Sequence, residues 1–162
     1  MSEIPLEIQV GELLRAHHVT LVTAESCTGG LIGHLLTNIP GSSEYYLGGV
    51  VAYAYEAKVA LLGVSWATLH QFGAVSEEVA LEMARGARAA LHGDIAVSVT
   101  GIAGPGGGLP NKPVGLTWIG ISTPAGAWAQ RFLWQGDREG NKLSSARAAL
   151  EMVLSHLKTK VL

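Results

Sequence analysis

Three segments of this sequence combine nucleophiles, cations and glycines at spacings that can support chemistry. The first is Thr23-Ala24-Glu25-Ser26-Cys27-Thr28-Gly29-Gly30, where a β-branched run gives way to small residues. Small residues at such a turn let backbone N–H groups and a helix N-terminus approach an oxygen, either of a phosphate or of a developing oxyanion. Ser26 stands where a nucleophile would stand, and the N–H groups around Thr28, Gly29 and Gly30 stand where an oxyanion would be held. The plainer alternative is that Ser26 or Thr28 caps the helix and the glycines permit close packing. Cys27 is the more nucleophilic atom in principle, but a lone cysteine beside a strand is more often a small buried residue.

The second segment is Tyr53-Ala54-Tyr55-Glu56-Ala57-Lys58. Partial burial of a lysine at a strand end lowers its pKa and keeps some amine neutral, which makes Lys58 a candidate base for Ser26. An ordinary solvated helix lysine is the alternative. The Tyr53 phenol is a candidate proton relay or substrate contact, with a sheet aromatic as the alternative. The third segment runs from Thr100 and Gly101 through Gly104 to Gly108, with five glycines in eight residues. It matches neither GxGxxG nor a P-loop, but its density suits close backbone contact with a ligand or a neighbouring subunit. Downstream, Lys112 and Arg138 each place a cation near a loop end, fit for a phosphate or simply for the surface.

These segments need elements to hold them. Apolar spacing predicts a helix over 6–17, a strand over 18–24, a helix over 28–39 ended by Pro40-Gly41, and a strand over 47–53. A short helix over 56–62 follows, stopped at Gly63, then another turn or two from a Ser65 cap to Phe72. Ser76 is a suitable N-cap for a helix to about His92. A buried-type strand over 94–100 precedes the glycine loop, and strands over 114–123 and 128–134 form an antiparallel hairpin about Pro124-Ala125-Gly126. A last helix spans about Arg138 to Lys158. Together they predict a single α/β domain over 1–162, a three-layer α/β/α sandwich with a mixed, mostly parallel sheet. In such sheets ligands bind beyond the carboxyl ends of the parallel strands, so all three segments fall where a ligand is expected.

Composition narrows the function. With 162 residues, 11 Lys+Arg, 13 Asp+Glu and a net charge of −2, the chain lacks the basic surplus that nucleic acid or an anionic membrane surface would attract. The N-terminus MSEIPLEIQV has no basic n-region, and no stretch reaches ~18 consecutive apolar residues, so a cytoplasmic protein without membrane association is expected. One cysteine excludes an internal disulfide, and the six histidines show no metal-ligand spacing, so neither metal nor cofactor is expected. The hairpin aromatics Trp118, Trp128, Phe132 and Trp134 either pack beneath the last helix or mark a homo-oligomer interface.

Taken in order, TAESCTGG, GSSEYY, YEAK, GAVSEE, SVTGIAGPGGG, KPVG and GDR resemble the CinA C-terminal domain family, the bacterial nicotinamide mononucleotide deamidases, over about Leu6 to His156. Longer family members carry a further N-terminal domain, and this chain looks like the stand-alone form. The resemblance implies hydrolysis of the carboxamide of nicotinamide mononucleotide to nicotinic acid mononucleotide and ammonia, in pyridine nucleotide salvage. It implies a serine–lysine mechanism without a metal, with Ser26, Lys58 and Tyr53 as catalytic residues. Ser42 and Ser43 of the GSS segment are rivals to Ser26 as nucleophile and candidates for substrate binding. The family usually has Asn where this chain has Tyr55, which puts in question any substrate contact made from that position. Two other readings stay open: a nucleotide-binding regulatory module without turnover, and an amidase for another small carboxamide. Bulky replacements at Gly29 or Gly101 are expected to damage binding more than stability.

Overall fold

All but the last residue of Ile95–Gly101 are buried, a run that only a central strand covered on both faces sustains. This strand, β3, lies in the middle of a five-stranded sheet in the computed structural model, which describes residues 2–159. In chain order the elements are α1 (Leu6–His17), β1 (Leu21–Glu25), α2 (Leu31–Thr37), β2 (Tyr46–Val51), α3 (Tyr55–Leu62), α4 (Trp66–Phe72), α5 (Glu77–Leu91), β3, β4 (Leu116–Thr123), β5 (Gly126–Leu133) and α6 (Arg138–Thr159). A 3-10 turn at Ser42–Glu44 leads into β2. Met1 and residues 160–162 lie outside the described range.

The sheet order is β2-β1-β3-β4-β5. β1 pairs parallel with both β2 and β3, whereas β4 is antiparallel to β3 and to β5. Four of the five strands therefore point the same way, which is the expected mixed sheet. Side chains alternate between its faces. Leu21, Val97 and Val99 pack with Val10 and Leu14 of α1, Ile32 and Leu36 of α2, and Leu150 and Val153 of α6. Val22, Ala24 and Ala96 pack instead with Leu62 of α3, Leu69 of α4, and Val79 and Met83 of α5. The result is the three-layer α/β/α sandwich.

Predicted boundaries move by up to three residues, and the two that move by three do so for a local reason. His18 adopts a left-handed φ of 55° and closes α1 through its N–H, so β1 begins only at Leu21. Gly29 and Gly30, at φ 61° and 104°, hold the chain out of the helical region until Leu31. That delay leaves a free turn at 26–30. Ser65 and Ser76 cap α4 and α5 as expected, accepting from the N–H groups of Thr68 and Val79. Phe132 and Trp134 stack at 5.1 Å between ring centroids, and the Trp134 indole donates to Ser145 Oγ on α6. These two aromatics thus pack beneath the last helix.

Gly86 on α5 makes one helix contact possible. A Cβ there would lie 1.8 Å from the Leu62 carbonyl oxygen at the end of α3. Alanine ordinarily gains about 1 kcal/mol over glycine inside a helix. Here the clash is with backbone and outweighs that gain: Gly86→Ala is expected to destabilise the fold by about 2 kcal/mol or more, as measured by urea unfolding.

Candidate active site

The parallel pairing aligns Glu25 of β1 with Val51 of β2 and with Val99 of β3. The residues that follow these partners therefore emerge side by side at the carboxyl edge of the sheet. Ser26 stays on the ladder by donating its N–H to the Val99 carbonyl at 3.0 Å, and Ala52 donates to the Glu25 carbonyl at 2.9 Å. Next to Ala52 the chain enters α3. A helical side chain leans back toward its own N-terminus, and Lys58, in the first turns of α3, reaches back over that edge.

Lys58 is 1% exposed. Its Nζ lies 2.9 Å from Ser26 Oγ and 3.0 Å from each of the Ala52 and Tyr53 carbonyl oxygens. Burial pushes its pKa below the ordinary lysine value, an effect that the neighbouring Cys27 opposes. The three partners fill the three positions around the amine, and the two carbonyls can only accept. In the neutral state Lys58 has two N–H donors and one lone pair. The donors go to the carbonyls, and the lone pair is left facing the serine hydroxyl. This geometry presents Lys58 as a base for Ser26 alone.

Ser26 and Lys58 open onto a cavity of about 240 Å³, lined also by Cys27, Tyr53, Thr100, Gly101, Gly104 and Arg138. Ala74-Val75 and the glycine loop through Gly107 complete the lining. No histidine or carboxylate lines it, so its charges are those of Lys58 and Arg138. Arg138, at the start of α6, donates to the Gly104 carbonyl at 2.8 Å and to the Tyr53 hydroxyl at 3.0 Å. Asn141, one turn on, donates to the Ala103 carbonyl at 3.0 Å and accepts from the Gly136 N–H. The first turn of α6 thereby holds the glycine loop over the cavity.

The structure brings together Ser26, Lys58, Tyr53, Thr100, Gly101, Gly104 and Arg138, and separates the other candidates from them. Tyr53 contributes its carbonyl to Lys58, but its phenol meets Arg138 and not the serine or the lysine. The Thr28 hydroxyl donates to the Glu25 carboxylate, and the Gly29 N–H donates to the Ser26 carbonyl, so the expected oxyanion donor at Gly29 is committed within the turn. Gly30 is the N-cap of α2 and is not among the residues lining the cavity. Ser42 and Ser43 precede β2, whose Tyr46 aligns with Leu21 at the opposite end of β1. A strand length of about 16 Å separates them from Lys58. Cys27 is buried, which pushes its thiol up to about 11 and keeps it protonated near neutral pH. Lys112 donates to the Phe72 carbonyl and not into the cavity. At Gly101 a Cβ would meet Thr117 Oγ1 at 2.5 Å and the Leu116 carbonyl oxygen at 3.1 Å, so replacement there costs packing, where stability was expected to suffer less than binding.

Two features are not among the sequence-predicted site residues, although the first lies within GAVSEE. Ala74 and Val75 form a wall pinned from both sides: Thr100 Oγ1 donates to the Ala74 carbonyl at 2.8 Å, and the Ala74 N–H donates to the Tyr55 hydroxyl at 3.3 Å. Tyr55 thus supports the wall from outside. Asn141 carries no motif of its own; the sequence shows only an asparagine three residues after GDR, and its burial is visible in the structure alone. Among the described residues no group of three or more His, Cys, Asp or Glu is placed to hold a metal ion, and no helix is long and apolar enough to cross a membrane.

Fold and site define an α/β/α domain whose strand-end cavity is built around a buried serine–lysine pair. The chain belongs to the CinA C-terminal domain family, which it matches over residues 3–157. It is 52% identical over 150 residues to a CinA-like protein of Salinibacter ruber, covering 93% of this chain and 36% of that one. The chain spans less than two-fifths of the length of the curated relatives it matches. Two solved structures are similar throughout. The competence/damage inducible protein of Agrobacterium tumefaciens is 41% identical with a TM-score of 0.89, covering 98% of this chain and 100% of the other. The competence damage-inducible protein A of Klebsiella pneumoniae is 35% identical with a TM-score of 0.93, covering 96% and 97%.

Proposed function

We propose that this chain hydrolyses the carboxamide of nicotinamide mononucleotide, giving nicotinic acid mononucleotide and ammonia for pyridine nucleotide salvage. The observation behind this reading is the 2.9 Å contact between Lys58 Nζ and Ser26 Oγ, in a buried site whose only other lysine partners are carbonyls. An amide is a poor electrophile, so its hydrolysis needs an activated nucleophile and an acid for the departing amine. Neutral Lys58 takes the Ser26 hydroxyl proton as Oγ attacks the carboxamide carbon. The tetrahedral adduct collapses as the Lys58 ammonium returns that proton to the leaving nitrogen, releasing ammonia and leaving an ester on Ser26. Lys58 then takes a proton from water and the resulting hydroxide attacks the ester. As this adduct collapses, the Lys58 ammonium returns the proton to Ser26 Oγ, and the acid product departs and ionises to the carboxylate.

The cavity also suits an anionic substrate. With Lys58 neutral, its cation is Arg138, on a chain of net charge −2, so the positive sign is local to the site. Arg138 stands at its edge with guanidinium donors beyond the two used on Gly104 and Tyr53. A charge-assisted hydrogen bond contributes about 1.5–3 kcal/mol, or roughly 10–100-fold in affinity. Arg138→Ala is expected to raise KM for the mononucleotide by about that factor, with less change in KM for the nucleoside that lacks the phosphate. Equal effects on both would remove the phosphate role. The overall test is ammonia release from nicotinamide mononucleotide beside a panel of other carboxamides. Thermal stabilisation by the nucleotide without ammonia release would replace hydrolysis with binding.

A further inference from the structure

The Glu25 carboxylate is 2% exposed, and it has no part in the proton transfers above. Strand alternation sends it to the α2 side of the sheet, away from Ser26, whose hydroxyl faces Lys58 of α3. There Oε1 accepts from the Thr28 hydroxyl at 2.7 Å and the Ile32 N–H at 2.8 Å, and Oε2 accepts from the Gly33 N–H at 3.1 Å. Ile32 and Gly33 belong to the first turn of α2, whose N-cap, Gly30, has no side chain to offer. The other two helices on the α3 side show the ordinary solution: α4 and α5 are capped by the adjacent Ser65 and Ser76. A hydroxyl is far cheaper to bury than a carboxylate. What the glutamate does that a local serine does not is to span the turn, from the last residue of β1 to the first turn of α2, with Ser26–Gly30 between.

We propose that Glu25 is a positioning residue, whose carboxylate clamps both ends of the 26–30 turn and so holds Ser26 Oγ at Lys58. The proposal rests on the serine–lysine reading of the site. All its partners are donors, so the clamp requires a group that only accepts. Glutamine keeps the shape but turns an NH2 donor toward one of these donors, and the turn loosens.

The test compares wild type with Glu25→Gln, checking folding by circular dichroism and thermal unfolding. Two rates are read: ammonia release from nicotinamide mononucleotide, and acylation of Ser26 by p-nitrophenyl acetate. Displacement of a reacting atom by an ångström costs about 100-fold, so kcat and the acylation rate are each expected to fall by about 30–100-fold. KM should stay within about threefold, and the acidic limb of the pH profile should not move, because Lys58 keeps its two carbonyls. A folded variant with kcat within about threefold of wild type, or a loss carried by KM alone, overturns the proposal. If Glu25→Gln does not fold, Thr28→Val removes one of the three donors. A fall of about 5–10-fold in kcat at unchanged KM is then expected, and kcat within about twofold overturns it. A wild type acylated by the ester but inert toward the nucleotide overturns the substrate reading alone, leaving Glu25 to be judged on acylation. A wild type inert to both overturns the two together.

Discussion

Lys58→Met is expected to abolish ammonia release, lowering kcat by about 1,000-fold or more while the protein stays folded. Methionine has nearly the shape of the lysine stem but no amine, so the variant removes the base from Ser26 and the proton source from the leaving nitrogen in one change. The stability cost is bounded. The Ala52 and Tyr53 carbonyls lose their donor, at about 1–3 kcal/mol each, while the cost of burying an amine at 1% exposure disappears. Urea unfolding should therefore find a folded variant. The wild-type pH profile supplies the companion measurement. Burial lowers the Lys58 pKa, and the neutral amine is the active form, so kcat/KM should rise with pH along an acidic limb whose midpoint lies below the ordinary lysine value of about 10.4. A rate that falls with pH through this region would make the ammonium the required form and end the role of Lys58 as base.

Ser26→Ala carries the second large effect, a loss of about 1,000-fold or more in ammonia release, with the fold retained. The side chain is small, its backbone N–H bond to Val99 is untouched, and only the hydroxyl at 2.9 Å from Lys58 is removed. The two rival serines provide the comparison. Ser42 and Ser43 sit beyond the far end of β1, a strand length from the cavity, and Ser42→Ala and Ser43→Ala should keep activity near that of wild type. If either of these loses activity while Ser26→Ala retains it, the nucleophile is not Ser26. Burst kinetics on an ester substrate would add that the acyl group resides on Ser26, since the burst should vanish in Ser26→Ala alone.

Much of the domain is legible in the chain because its signals are local. Ser65 and Ser76 announce helix starts, and the buried run at 95–100 announces a central strand covered on both sides. Pro124-Ala125 marks the hairpin between Thr123 and Gly126. Misread boundaries cluster where backbone conformation is unusual. His18 takes a left-handed conformation without being glycine, and Gly29 and Gly30 delay α2 by three residues. That delay matters for the candidate site, since it creates the turn on which Ser26 stands.

Residue types and motif order, by themselves, determined the class of fold and the family, and offered a short set of candidate side chains: three rival serines, a lysine, a tyrosine and an arginine. They did not determine which of these meet. The parallel register of β1 with β2 decides that, by setting Glu25 opposite Val51 so that Ser26 and the chain leading to Lys58 leave the sheet at the same edge. The same register carries Ser42 and Ser43 to the other end. A contact across 32 positions has no local signal, because strand pairing is chosen by the packing of whole faces and not by the residues at the ends. Tertiary structure likewise turned the Tyr53 phenol toward Arg138, committed the Gly29 N–H within its turn, and buried Lys58 where desolvation favours the neutral amine.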